Sequence, residues 1–209
     1  MPKISAFEKH ADAYDQWFDD NRLLYEAELR CIRPLAPSPP GNAMEVGVGS
    51  GKFALPLHVG VGVEPSEKMA QEARSLGIDV HPGVAEALPF TNERFDFVLM
   101  VTTICFVDDV TASLRECSRV LRPGGSLVVG FVDKMSDLGR HYQDKQKRSK
   151  FYAEATFFSA QEVLTHIQDA GLRVGRIRQT LIPAEPPEAV QDGFGLGGFV
   201  AIEGVKVSL

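Results

Sequence analysis

Residues 44–51 read Met-Glu-Val-Gly-Val-Gly-Ser-Gly, and a second apolar run, Val-Gly-Val-Gly-Val at 59–63, leads directly into Glu64. A buried strand that runs into three alternating glycines predicts a loop whose backbone touches a ligand, because a Cβ would hold the ligand away. The second strand ends in a carboxylate, which can accept hydrogen bonds from both vicinal hydroxyls of a ribose. Together the two stretches predict a site for a nucleoside cofactor.

Two other glycine-rich nucleotide motifs fit this stretch less well. A phosphate-binding loop requires Gly-x-x-x-x-Gly-Lys-Ser/Thr, but Val46 replaces its first glycine and Phe53 replaces its hydroxyl residue. A dinucleotide-binding loop requires Gly-x-Gly-x-x-Gly, whereas the spacing here is Gly-x-Gly-x-Gly. Glu45 also counts against a pyrophosphate, which its charge would repel, but it suits a cofactor that carries a sulfonium and an ammonium group.

Four further blocks follow in the chain: Glu-Pro-Ser at 64–66, Ala-Glu-Ala-Leu-Pro-Phe at 85–90, Arg-Phe-Asp-Phe-Val at 94–98 and Arg-Val-Leu-Arg-Pro-Gly-Gly at 119–125. With the glycine stretch, and in this order, they resemble the class I S-adenosylmethionine-dependent methyltransferases. Within that class the chain is similar to the small-molecule branch that includes quinone-ring methyltransferases. The resemblance extends over roughly residues 40–132. It implies a Rossmann-like, doubly wound α/β sheet with a terminal antiparallel hairpin, and S-adenosylmethionine as the cofactor.

The resemblance also implies which residues hold that cofactor. In it, Glu64 takes the ribose hydroxyls and Thr102 lies beneath the sulfonium, while Pro65 and Met69 pack against adenine. Ordinary packing at a helix start explains Pro65 and Met69 equally well. The family usually has an acidic residue for the adenine amino group where this chain has Val84. The complete predicted set is Glu45, Gly47, Gly49, Gly51, Glu64, Pro65, Met69, Ala85, Glu86 and Thr102.

Composition predicts one globular domain that binds neither nucleic acid nor a membrane. The chain has 209 residues, of which 44% are hydrophobic, enough for a single core. A net charge of -6 argues against a nucleic-acid substrate. No leader and no apolar run of membrane-spanning length is visible. The three cysteines lack a paired spacing, which favours free thiols, a cytoplasmic location and no metal site.

The predicted organisation is one methyltransferase domain over 1–209. Its parts are an N-terminal helical cap and linker at 1–40, a cofactor-binding core at 41–132, an insertion over the site at 133–158, and a final helix and hairpin at 159–209. Strands are predicted at 43–47, 59–64, 78–81, 95–102, 126–132, 173–182 and 198–207. Within a helix over 5–32, an apolar stripe that includes Leu23, Leu24 and Ala27 predicts that Glu28 faces away from the core.

Two flanking segments are candidate covers for a substrate. The N-terminal segment concentrates aromatic side chains, which predict either an amphipathic helix docked on the core or a lid. The insertion is locally basic on an acidic chain; such a run is usually a solvated face, but here it also favours an anionic acceptor. His141 has a suitable pKa range for a base, although no partner is evident. The candidate cover residues are Tyr14, Trp17, Arg140, His141 and Tyr152.

These patterns predict methyl transfer from S-adenosylmethionine to a small molecule whose identity the sequence does not give. Two alternatives remain open. A catalytically silent cofactor-binding module would keep residues 45–64 but lack an acceptor pocket beneath the insertion. An NAD-dependent oxidoreductase is disfavoured by the glycine spacing and by Glu45. Neither a catalytic base nor an oligomeric state is predicted.

Overall fold

Eight strands form a single sheet in the computed structural model, which describes residues 3–207. Residues 1, 2, 208 and 209 belong to the predicted N-terminal cap and C-terminal region and lie outside the described residues. The strands are β1 (Ala43–Val46), β2 (Val61–Glu64), β3 (Asp79–Pro82), β4 (Phe95–Val101), β5 (Leu121–Val132), β6 (Leu172–Thr180), β7 (Val190–Asp192) and β8 (Phe199–Lys206). Their order across the sheet is β3-β2-β1-β4-β5-β8-β6-β7.

The sheet is parallel from β3 to β5, and its last three strands are antiparallel to their neighbours. From β1 the chain moves outward through β2 and β3, and then returns to the other side of β1 to add β4 and β5. The order therefore reverses between β1 and β4. A parallel sheet binds ligands at the carboxyl ends of its strands beside such a reversal, so the fold predicts a site between the loops that follow these strands.

Six helices in the described part of the chain cover both faces of the sheet. They are α1 (Ser5–Asp20), α2 (Arg22–Ile32), α3 (Glu67–Ser75), α4 (Val110–Val120), α5 (Asp137–Lys145) and α6 (Ala160–Asp169). Alternate strand residues enter two separate hydrophobic clusters: Met44 and Val98 pack with α4 and α6, whereas Ala43 and Phe97 pack with α2 and α3. This is the doubly wound arrangement, with a terminal antiparallel hairpin, that the sequence predicts.

Local capping signals fix the starts of three helices. Ser66 and Asp109 each accept a hydrogen bond from the third residue of the helix they precede. Ser159 and Glu162 form a capping box at the start of α6. These caps position α3 and α4 directly after the loops that follow β2 and β4.

The N-terminal region differs from its prediction. The single helix predicted over 5–32 is two helices, because Asn21 has φ -117° and ψ 36°, which are not helical angles. The face assigned to the core in α2 was only partly right: Ala27 is fully buried, but Leu23 is 67% exposed and Glu28 is only 5% exposed. The apolar stripe is rotated around the helix, so a carboxylate enters the interior.

Two differences concern the second half of the sheet. The loop predicted over 183–198 contains the short strand β7, which pairs with the end of β6. Strand β5 begins at Leu121 because Leu121 already pairs with Phe95, and a register shift separates this pair from the regular ladder that starts at Ser126. The other strand boundaries lie within two residues of the predicted ones.

Candidate active site

A cavity opens at the carboxyl ends of β1, β2 and β4 and encloses about 1230 Å³, including the part that is open to solvent. Its wall comes from α1, α2 and the loops that follow the first five strands. Eight of the ten residues predicted to hold the cofactor line it: Gly47, Gly49, Glu64, Pro65, Met69, Ala85, Glu86 and Thr102. The other two, Glu45 and Gly51, do not.

The loop after β1 has glycine at three positions for different structural reasons. All three have positive φ, between 54° and 86°. A Cβ on Gly47 would lie 2.4 Å from the side chain of Thr103, and one on Gly51 would lie 2.7 Å from Ile78 Cδ1. A Cβ on Gly49 would meet nothing closer than 3.5 Å. A Cβ would thus clash within the protein at the first and third positions, whereas at Gly49 it would make ordinary van der Waals contacts with Met69 and Tyr14.

Glu45 lies behind the cavity wall. Its side chain is 1% exposed, its carboxylate accepts a hydrogen bond from the Ala54 N–H, and its Oε2 has no hydrogen-bond partner among the described residues. Burial raises the pKa of this carboxyl well above its ordinary value. The predicted contact of Glu45 with a cofactor therefore gains no support from the geometry, since Glu45 is buried and does not line the cavity.

Glu64 presents its carboxylate at the end of β2. Its two oxygens accept hydrogen bonds from the N–H groups of Gly49 and Ser66, each at 2.9 Å. Burial raises its pKa to about 7, while the two N–H groups oppose that shift. The carboxylate is thus held in one orientation between the glycine loop and the start of α3, with Pro65 and Met69 beside it on the same wall. This arrangement fits the ribose and base of a nucleoside.

The end of β4 is fixed against the glycine loop. Thr102 lines the cavity with φ 50°, a left-handed conformation that is unfavourable for a β-branched residue. Its N–H donates to the Gly130 carbonyl at 2.8 Å, which holds it there. The Thr103 hydroxyl lies within donating distance of two carbonyls, that of Val101 at 3.0 Å and that of Gly47 at 3.3 Å. Such strained residues occur mainly at functional sites, where neighbours hold them in place.

On the wall formed after β3, Glu86 has a structural partner of its own. One of its oxygens accepts hydrogen bonds from the N–H groups of Asp108 (2.6 Å) and Asp109 (3.2 Å). It therefore holds the loop that leads into α4. Val84 also lines the cavity, so an apolar side chain lies where the family resemblance implies an acidic one.

The two candidate covers both reach the cavity, though not through every predicted residue. Tyr14 and Trp17 from α1 line it, and so does Tyr152. Arg140 and His141 do not. Arg140 forms an ion pair with Asp137 and donates to the Met135 carbonyl, and His141 is exposed. The residue of α5 that lines the cavity is instead Tyr142, which sequence reasoning did not select.

Aromatic side chains from three separate segments meet around the outer part of the cavity. Phe7 lies 5.6 Å from Tyr14 and 5.0 Å from Phe106, measured between ring centroids. Tyr152 stacks on Phe106 at 5.7 Å and on Tyr142 at 5.3 Å. We call this group the aromatic wall; its members are Phe7, Tyr14, Trp17, Phe106, Tyr142, Phe151 and Tyr152.

Helix α1 is attached to the glycine loop as well as to the aromatic wall. The Ser50 hydroxyl donates to Asp15 Oδ1 at 2.5 Å, and Lys52 Nζ lies 3.4 Å from the other oxygen of the same carboxylate. The helix is kinked at His10, where φ is -135° and ψ is 31°. The N-terminal segment thus covers the cavity. The contacts that hold it in place include those to the glycine loop, which is predicted to bind the cofactor.

Sequence reasoning missed Glu28, which lines the cavity from α2. No residue in the described part of the chain forms a hydrogen bond or ion pair with its carboxylate, and burial raises its pKa to about 8. The signal was present in the sequence: Tyr25, Glu28, Leu29 and Ile32 have the i, i+3, i+4, i+7 spacing of one helix face. A carboxylate is rarely buried in such an apolar stripe unless it is paired, so the position of Glu28 points to a function.

Two negative results apply to residues 3–207. No helix there is long and apolar enough to cross a membrane. No three His, Cys, Asp or Glu side chains in that range are grouped so that they could hold a metal ion.

Comparison with known proteins gave consistent matches. Residues 44–129 match the family model described as a methyltransferase domain. One solved structure, from Thermotoga maritima, is described as a SAM-dependent methyltransferase and possible histamine N-methyltransferase. Its sequence is 44% identical to this chain and its TM-score is 0.91. The alignment covers 97% of this chain and 99% of that one. An uncharacterised protein from Methanocaldococcus jannaschii is 38% identical over 98% of this chain and 100% of its own length. A ubiquinone biosynthesis O-methyltransferase from Parvibaculum lavamentivorans is 28% identical over 75% of this chain and 71% of its own.

Proposed function

The chain belongs to the class I S-adenosylmethionine-dependent methyltransferases, and on this basis we propose that it methylates a small molecule bound beneath the aromatic wall. The observation that carries the proposal is the extent of the cavity. It runs from the buried Glu64 at the end of β2, past Thr102 at the end of β4, to Tyr142 and Tyr152. One continuous cavity therefore has room for a nucleoside at one end and an acceptor at the other.

S-adenosylmethionine, when bound, supplies a methyl group whose bond to the positively charged sulfur breaks as the acceptor's lone pair forms the new bond. The protein then has to hold donor and acceptor in line and to exclude water. In this proposal Glu64 accepts hydrogen bonds from the ribose hydroxyls, Pro65 and Met69 pack on the base, and Gly49 lets the loop approach. The aromatic wall excludes water from the acceptor.

The catalytically silent alternative loses its main support. It required a chain without an acceptor pocket beneath residues 133–158, whereas Tyr142, Phe151 and Tyr152 from that segment line the cavity. Membership of the methyltransferase family removes the reason for the nicotinamide alternative.

The charge of the acceptor has to be reconsidered. An anionic acceptor was expected because the insertion is rich in cationic side chains, but none of the seven lines the cavity: Lys134, Arg140, His141, Lys145, Lys147, Arg148 and Lys150. The descriptions of the relatives suggest two classes of acceptor, one that can be cationic and one that is neutral. The Thermotoga protein is a possible histamine N-methyltransferase, which suggests an amine, and the Parvibaculum enzyme acts in ubiquinone biosynthesis as an O-methyltransferase, which suggests a phenol.

The cellular location and the class of partner are also proposals. Three free thiols, at Cys31, Cys105 and Cys117, support the cytoplasm as the location. The acidic net charge of -6 supports a partner other than nucleic acid.

Thermal unfolding tests the cofactor assignment. A ligand that binds only the folded state raises the melting temperature, so S-adenosylhomocysteine at millimolar concentration should raise it and NADH should not. A shift with NADH and none with S-adenosylhomocysteine would overturn the proposal.

A further inference from the structure

We propose that Glu28 and the aromatic wall form the acceptor subsite and that the acceptor is a small amine, which binds as its ammonium ion and gives its proton to Glu28. This inference rests on the proposed function and names the class of acceptor for that same site. Four observations carry it: the position of Glu28, its lack of a partner, the charges around it and the rings that surround it.

Glu28 lies on the acceptor side of the sheet. Helix α2 packs against β5, β6 and β8, which are on the side of the reversal away from β2 and Glu64. The tyrosines that sense the charge of Glu28 include Tyr142 and Tyr152, both from the segment after β5. The charge of Glu64 adds to the raised pKa of Glu45, whereas burial alone raises the pKa of Glu28.

No described protein group offsets the cost of burying the Glu28 carboxylate. Its side chain is 5% exposed, and no described residue donates a hydrogen bond to it. A buried carboxylate of this kind is costly unless a partner supplies charge or hydrogen bonds. Glu64 and Glu86, by contrast, each accept two backbone N–H groups. The group that would satisfy Glu28 is therefore one that enters the cavity.

The charges of the cavity favour a cation over an anion. Four carboxylic side chains line it, namely Glu28, Glu64, Glu86 and Asp108, against one cationic side chain among the described lining residues, Lys3. Lys3 Nζ lies 3.5 Å from Thr156 Oγ1. An ammonium ion offers Glu28 both opposite charge and several N–H donors, whereas a phenol offers one neutral donor.

The aromatic wall suits the same ligand. The electron-rich faces of tyrosine and tryptophan attract ammonium groups within about 6 Å of the ring centroid. Tyr14 from α1 and Tyr142 and Tyr152 from the insertion line the cavity together with Glu28. Burial is the main cause of the raised pKa of all three tyrosines, and the charge of Glu28 adds to it in each, although Glu45 and Glu64 affect Tyr14 more. Aromatic rings beside a buried carboxylate that has no protein partner form a site for an organic cation.

The proton balance is simple. An ammonium ion has no lone pair, so it must lose one proton before its nitrogen can attack the methyl group. Binding of the ammonium ion favours the ionised form of Glu28, which releases its own proton to solvent. In the proposal the ammonium proton then passes to this carboxylate, which becomes a carboxylic acid as the nitrogen becomes a neutral amine. Glu28 returns the proton to solvent after the product leaves. Methylation of the neutral amine yields a cationic secondary ammonium product and neutral S-adenosylhomocysteine, so charge is conserved.

The test uses the full chain saturated with S-adenosylhomocysteine and sets of probes matched in shape. One set is 2-phenylethylamine, 2-phenylethanol and 3-phenylpropanoate; a second is tryptamine, tryptophol and 3-indolepropanoate; 4-methylcatechol represents the phenols. Melting temperature and calorimetry report binding. The variants are Glu28→Gln, which keeps the shape and removes the charge, and Glu26→Gln, a control on the same helix whose carboxylate pairs with Arg22 outside the cavity.

The expected result has three parts. At least one amine binds the wild type and its matched alcohol and carboxylate bind at least tenfold more weakly; Glu28→Gln weakens the amine at least tenfold; and Glu26→Gln has no effect. Binding of S-adenosylhomocysteine stays unchanged in both variants, which separates this proposal from the cofactor assignment. The proposal is overturned if no amine binds at 10 mM, if the phenol or a carboxylate binds as well as the amines, or if Glu28→Gln keeps the wild-type affinity for them.

Discussion

The carboxylate of Glu64 has two functions that a substitution will affect together. It accepts hydrogen bonds from the N–H groups of Gly49 and Ser66, and it faces the cavity. The first function holds the glycine loop against the start of α3. The second provides acceptors for the two hydroxyls of a ribose. A residue at the end of a strand is thus also a structural link between two loops.

We expect Glu64→Ala to lower the affinity for S-adenosylhomocysteine at least tenfold, which corresponds to about 1.4 kcal/mol, because charge-assisted hydrogen bonds to the ribose are lost. Stability should fall as well, by about 1–3 kcal/mol, since two N–H groups lose their acceptor. Calorimetry and urea denaturation measure the two effects. The control is Glu67→Ala, whose carboxylate pairs with Arg74 outside the cavity; unchanged affinity in Glu64→Ala would move the ribose contact elsewhere.

At the scale of elements, the segment after β5 combines a fixed start with a cover that has little regular secondary structure. Lys134 Nζ lies 2.7 Å from Glu162 Oε1, and a Cβ on Gly139 would lie 2.1 Å from the Asp133 carbonyl oxygen. The beginning of α5 is therefore packed tightly against the end of the strand. Residues 146–152 follow as short 3-10 turns and contribute Phe151 and Tyr152 to the cavity.

Hydrogen exchange should reflect this division. Segments with few buried contacts open at low free-energy cost, and covers become ordered when a site is filled. We expect amides over 146–152 to exchange fast in the free protein and to become protected when S-adenosylhomocysteine and a bound amine are both present. Amides of β8, which pairs with strands on both sides, serve as the reference and should not change. Strong protection of 146–152 in the free protein would make the segment a permanent part of the fold.

At the scale of the whole molecule, three carboxyl groups share the interior around one cavity. Burial raises the pKa of Glu28 to about 8, that of Glu64 to about 7 and that of Glu45 well above its ordinary value. In each case the folded protein binds the proton more tightly than the unfolded chain does. The stability that these groups contribute is therefore complete below their unfolded pKa of about 4.5 and is lost as pH rises through their folded values.

We therefore expect the free energy of unfolding of the ligand-free protein to decrease between pH 5 and pH 8. Glu28 alone should account for a loss on the order of 3–4 kcal/mol over this range, at about 1.4 kcal/mol per pKa unit. Urea denaturation at several pH values measures the trend, and the difference between the wild type and Glu28→Gln isolates this residue. The tyrosines near Glu28 do not interfere, since burial raises the pKa of Tyr25 and Tyr142 to about 12. A pH-independent difference would contradict the burial of an ionisable group at Glu28.

The sequence by itself determined the elements and the cofactor end of the site. The glycine loop, the carboxylate at the end of β2 and the capping residues Ser66, Asp109 and Ser159 are local signals, because each depends on the backbone within a few residues. Alternation and spacing then determined the parallel core, in which the carboxyl ends of neighbouring strands must meet at one edge. For these reasons the fold followed from the sequence, and eight of the ten residues that the family resemblance assigns to the cofactor line the cavity. Their contacts with the cofactor stay predictions.

Only the tertiary structure decided which side chains share the acceptor end. Glu28 enters the cavity because α2 is rotated by its packing against β5, β6 and β8, and Arg140 turns away because Asp137 and the Met135 carbonyl satisfy it locally. Strand β7 exists because the end of β6 offers unpaired backbone groups at the sheet edge. Residue spacing shows which residues share one face of a helix or strand. Which of these faces meets a cavity depends on packing against elements that are far away in the chain.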